Sequence, residues 1–178
     1  AAPALPDAFD TYVSHEIRAD FQGVVAALGG RTFDRVLFLD ILEHLDDPDR
    51  VLRESITVLK PSGRLIVSVP NVANITQRLA LLFGRFNYTD RGLLDRTHRR
   101  FYTWKTARRL VEDAGWTVEI QRPTVMPIEL VLGLSPSNPI MRVLSRVLGV
   151  ATRLLARLLG YQVLLVARPR PTSADAPA

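Results

Sequence analysis

The sequence contains no cysteine and very little lysine. Among 178 residues, the absence of cysteine excludes disulfide scaffolds, thiolate zinc sites and cysteine nucleophiles. Lysine occurs only at Lys60 and Lys105, so arginine supplies nearly all of the positive charge behind the net charge of +5. Codon usage in a GC-rich genome explains this bias as simply as selection for anion binding does.

The sequence also lacks a long hydrophobic run. The sequence contains no stretch of about 18 uncharged apolar residues, the length needed to span a bilayer. Residues 1–7 have neither the basic start nor the apolar centre of a secretory signal. We therefore expect a cytoplasmic protein. With 47% hydrophobic and 23% charged residues, the composition is typical of a globular protein, and the length suits one domain.

From Arg35 onward, short apolar runs alternate with amphipathic segments of helical length. This alternation is typical of an α/β fold with a mostly parallel sheet. The apolar run 36–39 predicts a strand buried on both faces. Further strands are predicted over 65–69, over 116–121 near a sheet edge, and over 161–167.

Capping residues and helical spacing predict four main helices. Asp47 followed by Pro48 starts one, and Thr103 starts another that continues to Ala114. The other two are predicted over 75–82 and over 141–159.

These elements predict one domain over residues 1–168. Within it we expect an irregular lead-in over 1–30, an α/β core over 31–122, and a covering segment, an amphipathic helix and the last strand over 123–168. Residues 169–178, rich in proline, alanine and small polar side chains, are predicted to be a disordered tail.

Polar side chains come after the predicted strands where a ligand site is expected. In open α/β sheets, ligands bind beyond the carboxyl ends of the strands. Residues 40–44 and 70–74 come after two strands, and the polar loop over 85–100, which carries His98, has the length of a functional loop. The sequence therefore predicts a binding crevice at this edge of the sheet.

One series of motifs resembles the second half of class I S-adenosylmethionine-dependent methyltransferases. The series consists of FDRV at 33–36, LDILEHLDDP at 39–48, LKPSGRL at 59–65 and SVPN at 68–71. In addition, LDRTHRRFYT at 94–103 and AGW at 114–116 are similar to the substrate-side loop and to the helix and strand after it in the same superfamily. The resemblance implies a Rossmann-like α/β sheet, mostly parallel with an antiparallel last strand, and helices on both faces.

The resemblance also implies roles for individual residues. S-adenosylmethionine would be the cofactor, and the candidate catalytic residues are His98 and Asp40, either of which would assist deprotonation of the acceptor. The residues implied for cofactor binding are Asp20, Phe21, Asp40, Ile41, Leu42 and His44, and those implied for the acceptor are Asn71, Asn74, Tyr88, Arg96 and His98.

The family's glycine-rich first turn and the acidic residue of its second strand have no counterpart in this sequence, so the resemblance implies an N-terminally truncated fold. We expect a methyltransferase, with O-methylation of a small-molecule, glycan or lipid-linked acceptor, or else a non-catalytic relative that pairs with another chain. Strand 36–39 would then be an edge strand that favours a homodimer, and S-adenosylmethionine binding is predicted to be weak or undetectable.

Two further patterns have alternative interpretations. Asp40, Glu43, His44 and His98 resemble the ligands of metal-using methyltransferases, but relatives with Glu-His that need no metal make the assignment without a metal the preferred one. Helix 141–159 carries Arg142, Arg146, Arg153 and Arg157 on one face. It either covers the sheet with its arginines in solvent or contacts an anionic membrane surface peripherally. No aromatic platform accompanies the arginines, so nucleic-acid binding is not expected.

Overall fold

The sheet combines parallel and antiparallel strands. The computed structural model describes Ile17, residues 20–127 and residues 139–171. Within these residues, four strands lie in the order β1-β2-β4-β3. Their ranges are β1 Phe33–Leu39, β2 Leu59–Pro70, β3 Trp116–Pro123 and β4 Gln162–Pro169. β1 pairs parallel to β2, and β4 runs antiparallel to β2 and β3, which confirms the predicted fold class.

The helices of the described residues are α1 Gln22–Ala27, α2 Pro48–Glu54, α3 Ile75–Leu82, α4 Trp104–Asp113, α5 Pro139–Leu154 and α6 Ala156–Leu159. Two of the helices, α2 and α4, begin where the capping residues predict. The Asp47 side chain accepts a hydrogen bond from the backbone N–H of Arg50, and Thr103 forms a reciprocal capping box with Thr106. α1 lies inside the lead-in that was predicted to be irregular.

The core lies between one face of the sheet and helices α2 and α4. α4 packs against α2, β3 and β4. Fully buried side chains come from β2, β4 and α4, and the indole N–H of Trp116 donates to the carbonyl of Leu52 at 3.1 Å. These buried side chains are Leu65, Val67, Val69, Val163, Leu165 and Val111.

The prediction that strand 36–39 is buried on both faces is wrong. Phe38 is buried, whereas Leu37 and Leu39, which point to the other side, are about half exposed. Among the described strands, β1 has a paired neighbour on one side only, as expected for an edge strand, and its second face remains open to solvent. Dimerisation through this edge stays a prediction.

The predicted helix over 141–159 is interrupted at Leu155, which separates α5 from α6. If this helix covered the sheet with its arginines in solvent, the apolar side chains opposite the arginines, which include Val147 and Leu154, would be buried, and this is not observed. Met141 and Thr152 are buried, while Val147 and Leu154 are exposed. No helix in the described part of the chain is long and apolar enough to cross a membrane.

Three predicted segments lie wholly or mostly outside the described residues: the lead-in 1–30, of which only Ile17 and residues 20–30 are described, the apolar part of the covering segment, 128–134, and the tail from 172 onward. The first residues of the predicted tail are described, and they are held in place. Pro169 ends β4, and Arg170 donates from its backbone to the carbonyl of Gly115 and from its guanidinium to that of Glu112. The ordered part of the domain therefore extends beyond residue 168.

Candidate functional site

Three strand ends meet at one edge of the sheet. Asp40 comes directly after β1, Asn71 comes directly after β2, and Gln162 begins β4. Because β4 is antiparallel, its first residue lies opposite Pro70, the last residue of β2. The carboxyl ends of β1 and β2 and the beginning of β4 thus form a common rim.

Asp40 is held in an unusual backbone conformation at this rim. Its φ is 53°, in the left-handed region that residues other than glycine rarely adopt. The Nε2 atom of Gln162 donates to both of its carboxylate oxygens at 2.8 Å, and the Ser68 hydroxyl lies 3.3 Å from one of them. The turn and these donors fix the Asp40 carboxylate at the edge of the site.

Glu43 is a buried carboxylate without a hydrogen-bond donor. It lies in a single 3-10 turn, Leu42–His44, and its side chain is only 1% exposed. Neither carboxylate oxygen accepts a hydrogen bond from the described residues. Burial, with a smaller contribution from the negative charge of Asp40, raises the pKa of Glu43 to about 7. Glu43 is therefore partly protonated near neutral pH.

His98 is brought to Glu43 by the polar loop. The backbone N–H groups of Arg99 and Arg100 donate to the carbonyl of Glu43 at 2.8 and 3.1 Å. These bonds place the Nε2 atom of His98 4.0 Å from a carboxylate oxygen of Glu43. Burial, and then the neighbouring His44, lower the pKa of His98, so its imidazole is neutral at pH 7.

His44 completes what we call the Glu43 cluster: Glu43, His44 and His98. The two imidazole rings lie edge to face with centroids 4.8 Å apart. The Nδ1 atom of His44 is 3.2 Å from the hydroxyl of Thr97, which itself donates to Asp95 at 2.7 Å. One potential ligand atom from each member of the cluster lies within 4.8 Å of the others. The donor set would suit a divalent cation.

The cluster borders one of two adjacent cavities. The first has a volume of about 310 Å³, and the second, on the side of α3, about 400 Å³. Arg91, Gly92, Leu93 and Tyr161 line both, so they form the wall between them. The other residues lining the smaller cavity are Asp40, Glu43, His44, Pro70, Asp95, His98 and Gln162.

Sequence reasoning did not predict Tyr161, Gln162 or Gly92 as site residues. Tyr161 lines both cavities, and burial raises the pKa of its hydroxyl. Gly92 has a φ of 91°, and a Cβ there would lie 3.3 Å from the Tyr161 hydroxyl. A signal for Tyr161 and Gln162 was present, because a last strand predicted to be antiparallel must begin at the edge where the parallel strands end.

The residues assigned to cofactor binding fall into three groups. Asp40 and His44 line the smaller cavity. Leu42 is fully buried in the core, and Ile41 packs against it. Asp20 and Phe21 line neither cavity; the backbone of Phe21 donates to Glu54 at 2.6 Å, and its ring packs on Phe38. Their roles toward a cofactor stay predictions.

Of the residues assigned to the acceptor, His98 alone lines a cavity. The side-chain amides of Asn71 and Asn74 are buried and donate to the carbonyl of Gly160 at 2.9 and 3.0 Å, which anchors the end of α6. Tyr88 is exposed and packs on Phe86 and Phe101, and Arg96 pairs with Asp90 at 2.7 Å. Of the other aromatic side chains that flank this loop, Tyr102 is buried and Phe83 is exposed.

Comparison of the sequence with known protein families identifies the family of this chain. A family model described as a methyltransferase domain matches residues 5–121. The chain belongs to this family. Its structure also resembles the crystal structure of a SAM-dependent methyltransferase from Archaeoglobus fulgidus, with a TM-score of 0.50 and 19% identity over 85% of this chain and 66% of that one. This likeness supports the class I methyltransferase fold.

Two curated relatives match about half of this methyltransferase-family chain. A ubiquinone biosynthesis O-methyltransferase from Aeromonas salmonicida is 33% identical over 89 residues, which are 48% of this chain and 36% of that protein. An uncharacterised 37.1 kDa protein in transposon TN4556 of Streptomyces fradiae is 35% identical over 88 residues, or 49% of this chain and 24% of that protein. The matched segments thus span about a third of the first relative and about a quarter of the second.

Proposed function

We propose that this chain carries the acceptor side of an O-methyltransferase that uses S-adenosylmethionine. The observation that carries the proposal is that Asp40, Glu43 and His98 border one cavity at the carboxyl edge of the sheet. This is where class I folds bind their ligands. The likeness to a relative named as an O-methyltransferase favours oxygen as the acceptor atom.

The charges around the smaller cavity fit a cationic methyl donor. Among its described lining residues, the carboxyl groups of Asp40, Glu43 and Asp95 outnumber the single guanidinium, that of Arg91. Hydrogen bonds from Thr97 lower the pKa of Asp95, which keeps that group ionised. S-adenosylmethionine supplies the methyl group on a positively charged sulfonium. Asp40, fixed by Gln162, is the group best placed to hold the positively charged part of the donor.

His98 is the candidate general base. Its neutral imidazole can accept the proton of an acceptor hydroxyl as the oxygen forms its new bond to carbon. The imidazolium that results lies 4.0 Å from the Glu43 carboxyl, whose ionised form stabilises the new positive charge. Asp40 would assist by orienting the reactants, because its own oxygens already accept hydrogen bonds from Gln162.

Calorimetric titration with S-adenosylmethionine tests the donor site. We expect weak binding that Asp40→Asn weakens further, by about tenfold or more, since a hydrogen bond to a charged group contributes roughly 1.5–3 kcal/mol and about 1.4 kcal/mol corresponds to a factor of ten. Asp90→Asn is the matched control, because Asp90 pairs with Arg96 and lines neither cavity. Equal effects of the two substitutions would contradict the role of Asp40.

Transfer of a labelled methyl group to catechol, a simple hydroxyl probe, tests the base. His98→Asn is expected to lower the transfer rate about 100-fold or more, the usual contribution of a general base, while the affinity for S-adenosylmethionine changes little. A rate that is unchanged in this variant would show that His98 is not the base.

We propose as the second candidate a non-catalytic subunit that pairs through β1. The observation in its favour is the open edge of β1 with its half-exposed Leu37 and Leu39. Light scattering tests it: a dimer that Leu37→Lys dissociates, together with no binding of S-adenosylmethionine, supports this candidate. A monomer at all concentrations contradicts it.

A further inference from the structure

Helix α5 presents an apolar face to solvent. Val143, Val147 and Val150 are each 57–60% exposed and Leu154 is 79% exposed. At about 100° per residue, these four side chains lie within about 60° of one another on the helix. We call this surface the outer face of α5. Large apolar patches of this kind on a soluble domain mark interaction sites.

The opposite side of α5 already packs against the domain. Met141 and Thr152 are buried, and Ser145 and Leu148 are partly buried. These positions are centred about 160° from the outer face. The helix therefore cannot bury the outer face by a small rotation without exposing Met141 and Thr152.

Arginines border the outer face along one side. Arg142, Arg146 and Arg153 project within about 40° of one another, beside Val150, and Arg157 lies further along in α6. None of the four pairs with a carboxylate among the residues that the structure describes. The sequence has no acidic residue between Glu129 and Asp175, so the arginines of α5 and α6 have no negative charge beside them on their own helices.

We propose that the outer face of α5 docks on an anionic phospholipid surface. A helix with an apolar face and an arginine border lies in the plane of a bilayer, with its apolar side chains among the acyl chains and its arginines at the headgroups. The charge pattern favours this occupant, because anionic headgroups supply negative charge along the arginine border, whereas α5 of a second copy carries only arginines as charged side chains. The proposal does not depend on the methyltransferase reaction.

Sedimentation with vesicles tests the proposal directly. The full chain is mixed with vesicles of phosphatidylglycerol and phosphatidylcholine in equal amounts, and separately with pure phosphatidylcholine vesicles. We expect binding to the anionic vesicles that weakens as salt is added, and much weaker binding to the neutral ones. Absence of binding to anionic vesicles would overturn the proposal.

Matched arginine substitutions locate the surface. The double variant Arg146→Gln with Arg153→Gln is expected to bind anionic vesicles about 25-fold more weakly, because each arginine near such a surface contributes a factor of about five. The control, Arg53→Gln with Arg109→Gln, removes the same charge from exposed positions on α2 and α4 and should bind as the parent does. Equal losses in the two double variants would contradict docking through α5.

Substitutions of the apolar side chains separate a membrane from a protein partner. Val147→Asn with Leu154→Asn should weaken vesicle binding about tenfold or more, whereas Leu81→Asn with Leu82→Asn, on exposed positions of α3, should not. Light scattering without vesicles is the second readout. Self-association that the α5 variant abolishes, in a protein that does not bind anionic vesicles, would assign the face to a second copy and overturn the proposal.

Discussion

Two regions of this molecule break the usual distribution of polar and apolar side chains, in opposite directions. At the Glu43 cluster, a carboxyl group, which is normally solvated, lies buried without a hydrogen-bond donor. On α5, valines and a leucine that could enter a core lie in solvent. Burial of the Glu43 carboxyl makes its ionised form unfavourable. The exposed side chains of α5 do not contribute the hydrophobic free energy that their burial would supply.

The two regions differ in what compensates the unfavourable free energy: contacts within the fold at Glu43, and contact with another molecule at the outer face of α5. Backbone N–H groups of Arg99 and Arg100 donate to the main-chain carbonyl of Glu43, so the fold itself keeps this residue, and with it the unpartnered carboxyl, in its buried position. The outer face of α5 has no such support and gains only when something covers it. A buried carboxyl with a raised pKa, as in the Glu43 cluster, is typical of a catalytic or ligand-binding site. An exposed apolar surface such as the outer face of α5 is typical of a docking surface.

The largest expected contrast compares two leucines on amphipathic helices. Leu110 of α4 is 9% exposed and Leu154 of α5 is 79% exposed. Leu110→Ala should lower the free energy of unfolding by about 3 kcal/mol, through lost burial and a cavity, and Leu154→Ala should change it by less than about 0.5 kcal/mol. Urea unfolding measures both, and a large cost at Leu154 would mean that the outer face is covered within the chain.

The next contrast uses pH at the Glu43 cluster. The folded state raises the pKa of Glu43 from 4.5 to about 7, so it binds the proton more tightly than the unfolded chain does. The contribution of this proton to the free energy of unfolding is therefore fully present below pH 4.5 and is lost as the pH rises to 7. The free energy of unfolding changes by about 3 kcal/mol over this range, at 1.36 kcal/mol per pKa unit. Glu43→Gln should remove this slope and be the more stable protein at pH 8.

The difference between the parent and Glu43→Gln isolates this effect. His98, whose pKa is lowered by the fold, contributes with the opposite sign below about pH 6.5. Because His98 lies 4.0 Å from Glu43, the comparison is repeated in the His98→Asn background, which lacks that contribution. Unfolding free energies that stay parallel between pH 4.5 and 8 would show that the Glu43 carboxyl is not strained. A variant that is more stable yet slower in methyl transfer would link the strain to function.

The smallest contrast concerns two loop glycines. Gly84 and Gly92 both have a positive φ, of 69° and 91°, but a Cβ on Gly84 would meet nothing within 4 Å, whereas one on Gly92 would approach the Tyr161 hydroxyl. Gly84→Ala should cost about 1 kcal/mol of unfolding free energy from backbone strain. Gly92→Ala should cost the same and a few tenths more, and it alone should reduce binding at the cavities, which calorimetry can detect.

Local patterns in the sequence predicted the elements and part of the site. The apolar run before Asp40 located β1, Thr103 located the start of α4, and residues just after strands led to Asp40 and His44. Local rules succeed here because a strand end or a helix cap is decided by a few neighbouring residues. The polar loop was also singled out, and in the structure its His98 lines the same cavity as Asp40 and His44.

The features that the sequence did not predict depend on packing between distant segments. Helical spacing shows that Val147 and Leu154 share a face, but it does not say which face meets the sheet, and the face carrying Met141 and Thr152 packs instead. The same limit applies to Asn71 and Asn74. An amide after a strand can bind a ligand or, as in this chain, hold the carbonyl of Gly160, and only the fold distinguishes the two.

The insertion of β4 between β2 and β3 has a consequence for the order of folding. The hydrogen bonds that fix Asp40 come from Gln162, 122 residues later in the chain. Contacts of such long sequence separation form slowly, because the intervening chain must first be ordered. During synthesis, β1 and β2 can pair long before Gln162 leaves the ribosome, so the site is assembled only when the strand that closes the sheet is in place.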